Sequence, residues 1–343
     1  MPSEFDLIRR HFTRPPRHSV LGVGDDGAIV CPAAGNELVL STDMLVSGIH
    51  FLPDTEPVAL GWKVLAVNLS DLAAMGAQPR WALLAAALPA SKAADEAWLA
   101  AFARGFFACA TAFDIDLIGG DTTRCADDAL SFCVTIGGEV AAGQALLRSA
   151  ARPGDELWLS GAPGRAALGL AHRQGRCVLT ADMRDTCLDA LDRPQPRVAL
   201  GRALACDRLA NAATDLSDGL LADLGHILER SQVAATLHDT QLPNDARRCG
   251  VATALAQDCL LAGGDDYELL FTAPPAHHAR IVALSNTLAL PLSCIGQIED
   301  GPAGQWRLLD AAGQAISVAR RGYDHFARSA ALATATATTQ PGS

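Results

Sequence analysis

Lysine is nearly missing from this chain: Lys63 and Lys92 are the only two among 343 residues. All basic residues together number 27 against 38 acidic ones, for a formal charge of −11, which excludes a protein built to track nucleic-acid phosphates or an anionic membrane surface. Neither lysine follows a glycine-rich loop and no Gly-Lys-Ser or Gly-Lys-Thr occurs, so a P-loop is excluded. The ten cysteines, at 31, 109, 125, 133, 177, 187, 206, 249, 259 and 294, never form Cys-x-x-Cys, which excludes zinc ribbons and dithiol redox motifs. Several stand in apolar runs as small hydrophobes, Cys109 and Cys133 among them, and a reducing cytoplasm is expected. No stretch approaches a membrane span, and Met1 to His18 carries Glu4, Asp6, Arg9, Arg10, Arg14 and Arg17 instead of an apolar signal core, so neither export nor insertion is expected.

What is present describes a globular chain. Half the residues are apolar, 19% are charged and the mean hydropathy is +0.18. The length exceeds what one hydrophobic core usually serves, so two domains are expected. Short apolar strands alternate with helical periodicity, the pattern of a mixed α/β fold. The clearest helix runs from about Pro57 to Met75, with Asp54 or Thr55 as its cap, Gly76 past its end and Pro79 blocking continuation. A second spans about Ala93 to Ala112, and strands are expected near 38–42, 81–87, 115–118 and 129–137. The turn-rich run Arg148 to Asp155 marks a domain boundary. Beyond it, helices are expected near 163–174, 196–206, 218–230 and 275–287, and strands near 156–160, 233–238, 267–272 and 293–298. The division is then 1–148, 149–327 and a low-complexity tail, 328–343, expected to be disordered.

Gly22-Val23-Gly24-Asp25-Asp26-Gly27 matches G-x-G-x-x-G, and Asp43 stands about 20 residues on, where a dinucleotide fold keeps its ribose acid. The context is wrong. Arg14-Pro15-Pro16-Arg17 precedes it and the strand-like Ala28 to Pro32 follows, and two carboxylates in the loop would repel a pyrophosphate. What recurs is aspartate in polar loops at the ends of apolar segments: Asp25-Asp26, Ser41-Thr42-Asp43, Gly119-Gly120-Asp121, Asp215 to Asp218 and Asp265-Asp266. Any one of these is an ordinary turn or cap. Together they supply hard oxygen ligands without cysteine or histidine spacing, the donor set of Mg²⁺. Asn68 and Asp71 stand one turn apart on a helix otherwise apolar, where a charge needs a partner.

Read in order from Phe5 to Phe326, these segments resemble a known family. Gly22 to Asp26, Ser41 to Asp43 with Gly48-Ile49-His50-Phe51, Lys63 to Gly76, Leu117 to Arg124, Asp215 to Gly219, Gly263 to Leu269 and Gly322 to Phe326 are similar to the motifs of the thiamine-monophosphate kinases, in the aminoimidazole-ribonucleotide-synthetase-like superfamily. The resemblance implies a two-domain fold of that kind, ATP as co-substrate, thiamine monophosphate as acceptor giving thiamine diphosphate, several Mg²⁺ ions, a cytoplasmic homodimer, and Asp71, Asp121 and Asp218 at the catalytic centre. By the same resemblance Asp26, Ser41, Thr42, Asp43, Asp71, Asp121, Asp215 and Asp218 are metal ligands. Gly120, Asp121, Arg148 and Ser217 contact ATP, and His50, Asp265 and Tyr323 contact the acceptor. Asp265 stands where the family usually carries Glu, one methylene longer.

The chemistry agrees. A phosphate monoester acceptor has its second pKa near 6, is largely a dianion at about pH 7 and needs no general base. No Ser/His or Asp/His pair is then required, and the remaining problem is countercharge between two anions. Two alternatives stay open on sequence: another ATP-using synthetase of the superfamily, and a non-catalytic nucleotide or metal sensor.

Overall fold

The computed structural model describes residues 4–125, 129–243, 245–248, 250–320 and 322–323. The expected tail 328–343 and the last three residues of the Gly322–Phe326 motif lie outside the described residues.

Two sheets organise the chain. The first half supplies β1 (Asn36–Val46), α1 (Pro57–Ala74), β2 (Gln78–Leu88), α2 (Glu96–Ala112), β3 (Asp116–Arg124) and β4 (Ser131–Ala141). Its four strands lie in the order β1-β4-β2-β3, antiparallel except for the parallel pair β2·β3. After the 142–155 connection come β5 (Glu156–Ser160), α3 (Arg165–Arg173), α4 (Ala181–Asp192), α5 (Val198–Cys206), β6 (Ala212–Asp215) and α6 (Leu220–Ser231). They are followed by β7 (Ala234–His238), α7 (Thr253–Ala262), β8 (Leu269–Ala273), α8 (His278–Leu288), β9 (Leu292–Glu299) and β10 (Trp306–Leu309). The second sheet has the order β10-β7-β9-β5-β8-β6, again antiparallel apart from one edge pair, β10·β7.

Helix α1 is the axis of the molecule. Leu60, Val64, Leu65, Leu69 and Leu72 are all at most 1% exposed, so the helix is apolar nearly all round because it is covered nearly all round. Burying each such leucine contributes roughly 2 kcal/mol. One core runs from the first sheet (Leu45, Phe132, Ile136) through α1 to the near face of the second (Trp158, Phe271); another fills that sheet's far face with Leu157, Leu159, Leu220 and Leu224. The first core therefore continues across the 148/149 boundary.

Several details depart from expectation. The α1 cap is neither Asp54 nor Thr55 but Glu56, whose carboxylate accepts from the Ala59 N–H at 2.8 Å with Pro57 next in line. The longer side chain reaches back over the first turn from one residue closer to it. Ser41-Thr42-Asp43 and Gly119-Gly120-Asp121 are not loops at strand ends but lie inside β1 and β3, where pairing with β4 and β2 holds the backbone extended. Helices α4 and α7 and the four-residue strands β6 and β10 were not expected. In α4 only Cys187 and Leu191 are buried, a stripe too thin to register as periodic, while α7 is too uniformly apolar. The Gly22–Gly27 segment joins Ser19–Leu21 to its antiparallel partner Ile29–Val30 and opens no helix, as its flanks foretold. Among the described residues no helix is long and apolar enough to cross a membrane.

Candidate active site

The alternation of β1 decides which of its residues can work together. Ser41 and Asp43 point toward α1, while Thr42 and Met44 point away. The Ser41 hydroxyl donates to the Asp71 carboxylate at 2.5 Å, and the Asp43 N–H donates to Asn68 Oδ1 at 3.0 Å. Asn68 in turn donates from Nδ2 to the Val64 carbonyl, which fixes the amide's orientation. The polar pair one turn apart on α1 is thus clamped to the strand that runs above it. Thr42 is turned to the opposite face, where its hydroxyl donates to Val134 O and meets Thr135 Oγ1.

Across from this pair, β6 delivers Asp215 at its end, and Ser217 and Asp218 follow in the turn before α6. Asp223 in the first turn of α6 accepts from both the Asp218 and Gly219 N–H groups at 3.1 Å, locking that turn. Its place in the first turn after Asp-Gly is the sequence signal of such a cap. Asp43, Asp71, Asp215 and Asp218 line one cavity of about 1070 Å³ with His50, Ser217, Asp265 and Tyr323. His50 Nδ1 accepts the Val46 N–H at 3.0 Å, which places the proton of the neutral ring on Nε2.

The carboxylates press on one another. Burial, with the charges of Asp71 and Asp218 added, pushes Asp43 up to about 6. Burial also raises Asp71 and Asp215, Asp215 further through the Asp71 charge, and the Arg148 guanidinium draws both partly back. Arg148 sits beside them with Nε donating to Thr214 Oγ1 at 3.1 Å. A cluster of buried oxygens whose ionised forms repel suits a divalent cation by donor type. Among the described residues no three such side chains are set to close round an ion, and Mg²⁺ is ordinarily held by one or two carboxylates with substrate phosphates completing the shell. The donor set fits that mode.

Asp265 is held on both oxygens. Lys63 Nζ donates to Oδ2 at 2.9 Å and the Tyr267 hydroxyl to Oδ1 at 2.9 Å. Tyr267 is not among the expected site residues, and nothing local in the sequence joins Lys63 to a residue 202 positions away.

Besides Thr42, three expected site residues lie elsewhere. Asp26, Gly120 and Asp121 line a second cavity, of about 750 Å³, between the Gly24–Gly27 loop and β3, walled by Trp98, Phe102 and Phe132. Asp121 stands in register with Ala85, on the sheet face turned away from α1, so alternation keeps it apart from Asp71.

Comparison with known proteins gives one answer over nearly the whole chain. Residues 24–140 match the family model of the AIR synthase related protein N-terminal domain, and 152–308 that of its C-terminal domain. A thiamine-monophosphate kinase of Escherichia coli (strain K12) is 44% identical over 329 residues, covering 94% of this chain and 98% of its own. The crystal structure of thiamine-monophosphate kinase from Stenotrophomonas maltophilia K279a superposes with a TM-score of 0.78 at 47% identity, over 87% of this chain and 92% of that one. A structure named as AaThiL complexed with AMPPCP and TMP superposes with a TM-score of 0.71 at 28% identity, over 89% and 92%.

Proposed function

The chain belongs to the AIR synthase related family and within it to the thiamine-monophosphate kinases, and from that premise we propose that the acidic cavity transfers the γ-phosphoryl group of ATP directly to thiamine monophosphate. The observation that carries this is the set of four aspartates from both halves of the chain, Asp43 on β1, Asp71 on α1, Asp215 at the end of β6 and Asp218 in the turn before α6, around one cavity.

The acceptor's phosphate is already a nucleophile, so the residues here bind and align rather than deprotonate. Asp43, Asp71, Asp215 and Asp218, with Ser41 and the backbone beside Thr42, are the residues that would hold Mg²⁺. Held there, Mg²⁺ would supply the countercharge that lets the two anions meet. Arg148 adds a fixed positive charge beside Asp71 and Asp215, and Ser217 offers a hydroxyl to the nucleotide. Asp26, Gly120 and Asp121, on the second cavity, serve the nucleotide from the first domain. His50, Asp265 and Tyr323 face the acceptor end, where the Tyr323 N–H is tied to Asp218 O at 2.9 Å. Residues 1–148 carry most of the metal ligands and 149–327 complete the cleft.

Incubation with ATP and Mg²⁺ should release ADP only when thiamine monophosphate is present, and γ-labelled ATP alone should leave no label on denatured protein. ADP release without acceptor dependence would point to another synthetase of the family. Nucleotide binding without turnover would point to a sensor, and stoichiometric label would overturn direct transfer.

Two further features support a homodimer in the cytoplasm. The outer face of the first sheet exposes Leu38, Leu40, Met44 and Leu83, with Leu40 67% and Met44 58% exposed, an apolar surface that a second copy covers. The nine cysteines among the described residues are all free, a state a reducing compartment maintains. Sedimentation equilibrium should give twice the chain mass, and Leu38→Glu with Leu40→Glu should reduce it to one. A monomeric parent would remove the dimer.

A further inference from the structure

Lys63 is 2% exposed, so nothing in the cavity can touch it, whereas the Asp265 side chain, 29% exposed, lines the cavity directly. The ammonium donates to two acceptors, Asp265 Oδ2 at 2.9 Å and Leu191 O at 3.0 Å. Burying a lysine charge is expensive, and holding it against one carboxylate oxygen while Tyr267 holds the other over-determines the carboxylate's direction. The backbone carries the same signature. Asp265 and Tyr267 both adopt left-handed φ angles, +68° and +51°, which non-glycine residues keep only when surrounding contacts enforce them. Two of the carboxylate's lone-pair sites are thereby used, and the side chain lines the cavity with the others unfilled by Lys63 and Tyr267.

We propose that Lys63, seconded by Tyr267, is a positioning residue that aims Asp265 at the ring end of the acceptor, a cationic, amine-bearing heteroaromatic. This rests on the acceptor-site role given to Asp265 above. Lys63, Val67 and Asp71 follow one another at four-residue spacing on α1, which places the anchor of the ring-binding acid roughly 12 Å along the axis from the phosphate-side carboxylate. One buried helix thus spans both ends of the acceptor.

Steady-state kinetics on three variants test this. Lys63→Met keeps the volume and removes the charge; it should raise KM for thiamine monophosphate about tenfold while KM for ATP stays within about twofold. Tyr267→Phe should raise the same KM by about threefold. In an Asp265→Asn background Lys63→Met should add less than about twofold, because both act through one carboxylate. Fully additive effects, equal rises in both KM values, or a lowered melting temperature with KM for the acceptor unchanged would each overturn the proposal. Should Lys63→Met not fold, Tyr267→Phe decides, and a KM within twofold of the parent overturns it. A parent enzyme without acceptor-dependent ADP release would instead overturn the kinase function, so the two failures are told apart.

Discussion

Asp71→Asn is expected to lower kcat by about 10³-fold or more while the melting temperature of the metal-free protein holds or rises. The activity side follows from position: Asp71, on α1, lines the cavity together with Asp43 and Asp215, whose proton affinities it raises. Losing a countercharge site of this kind costs about 4 kcal/mol of transition-state stabilisation, which is roughly three powers of ten. The stability side follows from the sign of the shift. Burial raises Asp71 above the ordinary carboxylate range despite Ser41 and Arg148, so in the folded state its ionised form is disfavoured. A carboxyl raised by folding withdraws stability as the pH climbs through its range, and neutral Asn escapes that withdrawal at pH 7. The amide oxygen can still accept the Ser41 hydroxyl. Differential scanning calorimetry beside the kinetic assay reads both. A variant that retains near-parental kcat at moderate Mg²⁺ would remove Asp71 from the centre, and one that melts far lower would make it a structural residue.

Gly105→Ala is expected to destabilise by about 3 kcal/mol and Gly225→Ala to stabilise by about 0.5–1 kcal/mol, although both glycines lie within helices. A Cβ on Gly105 would stand 1.8 Å from the Val58 carbonyl oxygen, and one on Gly61 2.0 Å from Phe102 O, so α1 and α2 cross with backbones nearly touching. Neither partner atom can swing aside, because each is main chain of the facing helix. The helices must separate, loosening the packing of α1 on the first sheet and with it the placement of Asn68 and Asp71. Gly225 in α6 has nothing within 4 Å of the same position, and there alanine gains only helix propensity. Chemical denaturation of the two variants should move midpoints in opposite directions; a shared direction would show that the helix crossing can relax.

Much of the chemistry lay open in the order of residues. The bounds of α1 follow from Pro57 and Gly76, which act on their own backbone, and most of the larger strands and helices follow from apolar spacing, which is likewise local. The acids were legible as a set because hard oxygen donors without cysteine or histidine spacing admit few uses. Which of them meet was decided by the tertiary structure. Ser41 and Asp43 reach Asp71 while Thr42 and Asp121 do not, because strand pairing gives neighbours opposite faces, and the pairing is set by partners far along the chain. Glu56 takes the cap that Asp54 or Thr55 could have filled, since side-chain reach depends on how the chain enters the helix. The contact of Lys63 with Asp265 belongs wholly to the fold: a buried ammonium must find a carboxylate, but only the packing of α1 against the second domain determines which one it finds.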